Sequence, residues 1–163
     1  MSNQGFSLAS LFFLLSIWVK LFGASEYALR LFSILIGIGS ILIFYCLAKR
    51  FFEEQAGLLG TFLLAISPLA VMYSQEIRMY GFVLLLSILS SLYFWKLLDR
   101  KRSMIILGYL VFTTLLILTH VFASLLLFSQ FLFLIFDYWK KRDKVRFQTI
   151  ILSQILIVFL AFP

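Results

Sequence analysis

Apolar residues run along this chain in long blocks with short charged breaks between them. The blocks extend from Phe6 to Phe22, Ala28 to Leu47, Gly57 to Tyr73, Met79 to Leu98, Met104 to Phe136 and Phe147 to Phe162. Crossing a hydrocarbon core of about 30 Å takes about 20 residues of helix. Lipid leaves no backbone polar group unpaired, and the blocks lack the in-out alternation of barrel strands, so the pattern predicts transmembrane α-helices. Met104 to Phe136 is too long for one of them, because as a straight helix it would measure about 50 Å. It is expected to split near Thr119-His120 into two short spans, leaving His120 as a turn or helix-end residue at one membrane face. The expected fold class is all-α: a polytopic transmembrane helical bundle, with residues 1–163 as a single transmembrane domain.

Composition excludes the soluble alternatives. The chain is 63% hydrophobic and only 13% charged, with a mean hydropathy of +1.08, well beyond the range of a soluble domain. The basic residues fall in three clusters: Lys49-Arg50, Lys96 with Arg100-Lys101-Arg102, and Lys140-Lys141-Arg142-Lys144-Arg146. Two-span hairpins connect each cluster to the next, so all three share one face, the cytoplasmic one by the positive-inside rule. Lys20, Arg30 and Arg78 remain for the opposite face. The net charge of +7 is thus mostly a topology signal in a multi-pass protein of the cell membrane. It points to membrane lipids as partners and gives no support for a nucleic acid, since the clusters are short, juxtamembrane and without a soluble fold to present them.

The first block breaks the charge rule. If it crossed outward, its inner flank Met1 to Gly5 would hold no basic side chain and its outer end would hold Lys20. A juxtamembrane helix lying at the outer interface fits better than a spanning one. It does not read as a signal peptide, lacking a basic n-region and a cleavage site. An N-terminus that starts on the outer surface suggests a piece of something longer. Cys46, the only cysteine, reads as a small buried hydrophobe. One histidine, no Asp-x-Asp pair and no glycine-rich phosphate loop give no expectation of a metal or cofactor.

Candidate chemistry concentrates in "SQEIRMYGF", Ser74 to Phe82, a polar insertion between two apolar blocks. Both blocks run to basic clusters at their far ends, which places Ser74 to Met79 as a short outer-face loop, reached through a kink or break at Pro68. Were it helical, Tyr73, Glu76 and Tyr80 would share one face and Gln75 and Arg78 a neighbouring one. A guanidinium at headgroup depth, with carboxamide, carboxylate and phenol nearby, suits a phosphate held at the membrane surface. Snorkelling of Arg78, its pairing with Glu76 and an aromatic belt would account for the same residues without a ligand. His120, in "LTHVF", could bond a phosphate or sugar hydroxyl, or simply cap a turn. Glu26 and Arg30 are an i,i+4 pair opening a helix.

Three segments together resemble a known family: "WVKLFGASEYALRLFSILIGIGSILIFYCLAKRFF", then "ISPLAVMYSQEIRMYGFVLLLSILSSLYFW", then "LTHVFASLLLFSQFLFLIF". They are similar to the first half of the C-type (GT-C) membrane glycosyltransferases of the protein-mannosyltransferase and aminoarabinose-transferase superfamily, glycosyltransferase family 39. The second segment matches that superfamily's serine-proline, tyrosine-serine-glutamine and glutamate-x-arginine-x-tyrosine signature. The resemblance implies transfer of a sugar from a polyprenyl-phosphate-linked donor to an envelope glycan, lipid or protein acceptor on the outer face. It implies donor-site roles for Gln75, Glu76, Arg78, Tyr80 and His120, which match the family's motifs. Members carry a catalytic aspartate in the first outer loop, after an initial transmembrane helix. Here no aspartate precedes Asp99, so the expectation is an incomplete, N-terminal half of the domain without that helix and loop, its catalytic residue unassigned. The alternatives are a noncatalytic membrane subunit or scaffold that binds lipid phosphate, or a small transporter, against which stands the expectation that no span has a polar interior.

Overall fold

A computed structural model describes residues 9–75, 79–99 and 102–161, and the side chains of 15–74, 80–99 and 102–161. Among the described residues there is no strand. The helices are α1 (Ala9–Phe22), α2 (Glu26–Ala48), α3 (Glu54–Ala65), α4 (Pro68–Gln75), α5 (Met79–Asp99), α6 (Ser103–Thr119), a 3-10 turn (Val121–Ala123), α7 (Ser124–Lys141) and α8 (Lys144–Ala161). Among the described residues four helices are long and apolar enough to cross a membrane, and α3 and α4, bent by 57°, make a broken span or a re-entrant loop. With α6, a shorter apolar helix, this is a multi-pass bundle.

The chain's punctuation explains the boundaries. Gly23 takes the left-handed conformation (φ 83°) after α1, where an L side chain would be strained. Ser25 then caps α2 by accepting from the Ala28 amide. Pro68 has no amide to continue α3, so the Ser67 amide turns back to the Leu64 carbonyl and a new helix starts. The kink or break expected at Pro68 is a break. The long fifth block divides at His120, as its length requires, with α6 ending at Thr119.

α5 packs most extensively on α6 and α2, and α6 in turn packs on α8, which pairs with α7. Small residues make the closest approaches possible: Ser33, Gly37 and Ser40 recur along one face of α2, and Ser33 and Ser40 are buried. A larger apolar core gathers Phe94 and Leu97 of α5, Ile117 of α6, Leu134 of α7 and Ile150 and Ile157 of α8, and a smaller one holds Phe82, Leu86 and Leu116. The outer surface is also apolar, with Leu42, Phe62, Phe128, Leu152 and Phe159 exposed. A surface of this kind suits a lipid environment.

Two expectations are corrected here. Cys46 is exposed, not buried; in a membrane bundle the lipid-facing side of a helix is as apolar as its core side, so composition does not tell them apart. The interior of the spans is also not apolar throughout. Tyr109 Oη donates to Gln130 Oε1 at 2.7 Å and accepts from Gln154 Nε2 at 3.3 Å. Gln130 Nε2 donates to Ser90 Oγ at 3.3 Å, and Ser90 shares a 2.8 Å bond with Thr113 Oγ1. This buried, uncharged network ties α5, α6, α7 and α8 together near mid-span, where hydrogen bonds between helices replace the water that lipid excludes.

Candidate functional site

The antiparallel course of the helices gathers basic residues at one end. Arg50, after α2, meets Asp99, the last residue of α5, at 3.1 Å. At the turn between α7 and α8, Asp137 takes Lys141 at 2.9 Å and Arg146 at 3.5 Å. The opposite end holds the end of α4, the start of α5, the end of α6 and the Glu26–Arg30 pair, bonded at 2.6 Å. The candidate site lies there.

Two glycines set its framework. A Cβ at Gly37 of α2 would stand 2.9 Å from Ser74 Cβ, and one at Gly81 of α5 would stand 3.3 Å from the Tyr73 carbonyl oxygen. The last turn of α4 is thus seated between α2 and α5, at a distance that only glycine allows at Gly37 and with little room for a Cβ at Gly81. That seating brings the Tyr73 and Tyr80 rings to 4.9 Å between centroids, tilted by 31°. Tyr80 is 6.3 Å from the ring of His120, and His120 is 5.6 Å from Phe122. Two residues forty positions apart in sequence, Tyr80 and His120, therefore meet at one end of the bundle.

His120 owes its position to the break after α6. Its backbone is extended (φ −152°, ψ 121°). Its amide donates to the Leu116 carbonyl at 3.0 Å, and its carbonyl accepts from the Ala123 amide at 2.9 Å. The imidazole stands half-buried beside the half-exposed Tyr80 phenol. Both can donate and accept hydrogen bonds, so the pair can serve a phosphate oxygen or a sugar hydroxyl.

Of the other expected site residues, Gln75 closes α4 by its backbone. Glu76 and Arg78 lie outside the described residues, as does the side chain of Gln75. The segment that carries them leaves α4 at Gln75 and joins α5 at Met79, beside Tyr73 and Tyr80. Tyr73 and Phe122 complete the aromatic row and were not singled out for a site; the three-and-four spacing of Tyr73, Glu76 and Tyr80 was the available signal for the first. Among the described residues no three His, Cys, Asp or Glu side chains come together as a metal site would require.

The profile of the dolichyl-phosphate-mannose-protein mannosyltransferase family matches residues 10–163, and the chain belongs to that family. It is a membrane glycosyltransferase of the C type, as the resemblance in its motifs implies. Comparison with the curated proteins returned no match, and neither did comparison with the solved structures.

Proposed function

We propose that the protein moves a sugar from a polyprenyl-phosphate carrier to an envelope acceptor at the outer face of the cell membrane. The donor phosphate binds beside Tyr80 and His120, at the end of the bundle where α4 ends and α5 begins. The observation that carries this reading is the 6.3 Å approach of Tyr80 to His120 at the end of the bundle away from the basic clusters. By the positive-inside rule those clusters face the cytosol, so the convergent end faces out. We place α1, described from Ala9 to Phe22, along that outer surface because Lys20 stands in its last turn.

The chemistry of the leaving group defines the task of this site. As the glycosidic bond to the carrier breaks, negative charge accumulates on the lipid phosphate, and fixed donors aimed at it stabilise that charge. Arg78 supplies a permanently charged guanidinium able to donate two parallel bonds. His120 supplies a ring N–H, Gln75 a carboxamide and Tyr80 a phenol, while Glu76 adds a carboxylate to the same motif. The tyrosine rings give the first isoprene units or the sugar face an apolar ledge.

Photo-crosslinking with a polyprenyl phosphate bearing a benzophenone tests the assignment. Arg78→Ala and His120→Ala, in the otherwise intact chain, should each lose most of the labelling, whereas a lipid-facing control such as Phe159→Ala should keep it. Labelling of Arg78→Ala equal to the parent removes the donor site from this end of the molecule.

A further inference from the structure

At the other end of α5 and α6 lies a cavity of about 720 Å³ that the transfer chemistry does not use. Its charged lining comes from three separate segments: Arg50 from the turn after α2, Lys96 and Asp99 from the last turn of α5, and Arg102 from the start of α6. We propose that this cavity is a binding site for the phosphate of an anionic phospholipid, held by Arg50, Lys96 and Arg102.

Charge is the first argument. Among the described residues three cations face one carboxylate, so the cavity keeps a surplus of positive charge. The carboxylate is a weak competitor: Asp99 is 66% exposed and its bond to Arg50 Nη1, at 3.1 Å, uses one of the five N–H donors of that guanidinium. The Lys96 ammonium lies 5.0 Å above the Tyr93 ring, which also lines the cavity, and this contact holds the amine on the cavity side. Arg102 precedes α6 without a side-chain cap bond. The amides of that helix's first turn therefore add their partial positive charge at the same place.

The walls argue for a lipid as the source of the phosphate. Met104 lines the cavity and is 78% exposed. Leu107 and Val111 follow it on the same face of α6, both exposed, at the spacing that aligns residues along a helix. This apolar strip runs from the charged lining toward the middle of the bilayer, the course an acyl chain takes from its headgroup. A volume of this size suits a whole headgroup and is far larger than a single phosphate needs. Basic pockets between transmembrane helices are suited to such headgroups, each cation near the surface contributing about 1 kcal/mol, or about five-fold in affinity.

Native mass spectrometry of the intact chain in neutral detergent, titrated separately with phosphatidylglycerol, phosphatidylcholine and inorganic phosphate, tests the proposal. Phosphatidylglycerol should be retained in preference to phosphatidylcholine. The double variant Lys96→Gln/Arg102→Gln should weaken phosphatidylglycerol binding about thirty-fold and leave phosphatidylcholine unchanged, the latter serving as the control for folding. Asp99→Asn should strengthen phosphatidylglycerol binding, because it removes the competing carboxylate; a purely structural ion pair would give lower thermal stability and no gain in binding. Equal retention of the two lipids, or a double variant that binds like the parent, overturns the site. Inorganic phosphate bound as tightly as phosphatidylglycerol overturns the lipid assignment.

Discussion

Replacing Gly37 with alanine tests whether the seating of α4 controls the proposed donor site. The new Cβ would meet Ser74 Cβ at 2.9 Å, whereas carbon atoms rest at about 3.5–4.0 Å, so α4 must withdraw by about 0.6–1.1 Å. Ser74 Cβ is fixed to the backbone and cannot swing aside as a long side chain would. Overpacking of this kind costs about 1–3 kcal/mol if the helices hold their places. If α4 yields instead, the Ser74–Met79 segment moves with it. Misplacement of a binding group by about 1 Å is enough to lose up to about 100-fold. Gly37→Ala should therefore lower polyprenyl-phosphate crosslinking by about ten-fold or more, the equivalent of about 1.4 kcal/mol. Adding Ser74→Gly removes the opposing Cβ and should restore the labelling. That second change forfeits the Ser74 bond to the Val71 carbonyl and about 0.5–1 kcal/mol of helix propensity, so recovery in the face of those losses would be specific to the contact. Gly37→Ala with parental labelling and melting temperature would refute the argument, as would a double variant no better than the single one.

Four further outcomes follow from the same geometry. Tyr109→Phe leaves Gln130 Oε1 and Gln154 Nε2 without their bonds, and should lower stability by about 1–2 kcal/mol in bicelles by steric trapping; in a Gln130→Leu background the loss should shrink. Arg142 ends α7 in the left-handed region (φ 54°), where glycine has no penalty, so Arg142→Gly should raise stability by about 1 kcal/mol in the same assay. Asp137→Asn weakens the bonds to Lys141 and Arg146 and should increase amide hydrogen exchange at the α7–α8 turn more than at the α5–α6 turn. In a Cys46→Ala background, a membrane-impermeant thiol reagent added to intact cells should label Arg78→Cys and spare Arg142→Cys; the reverse pattern would invert the proposed orientation.

The sequence patterns that proved legible are those that involve length and local stereochemistry. A run from Met104 to Phe136 cannot be one helix in a bilayer, and the structure breaks it beside His120. Pro68 lacks an amide, and the chain breaks there. Glu26 and Arg30 stand one turn apart and pair. What escaped were contacts between helices. Ser90, Tyr109, Thr113, Gln130 and Gln154 are scattered through three apolar blocks, and their bonds join residues 21 to 45 positions apart, so no periodicity reveals them. Cys46 escaped for a related reason: hydropathy separates water from everything else, and does not separate lipid from protein. The meeting of Tyr80 with His120 lay between these limits, since charge topology put both at one end and only packing could bring their rings together.

The bend between α3 and α4 fixes an elevation. Unbent, 12 and 8 residues of helix would rise about 30 Å; tilted by 57° at the joint, the second piece contributes only about 6–7 Å, for a total near 25 Å. The 17 residues of α6 reach the same height of about 25 Å. Two routes from the basic end thus stop on a common level, several ångströms short of where a straight rod would emerge. The ends of α4 and α6 stand in a shallow basin rather than on a post, and under the proposed function a carrier whose tail is confined to the bilayer would deliver its headgroup there without leaving the membrane plane.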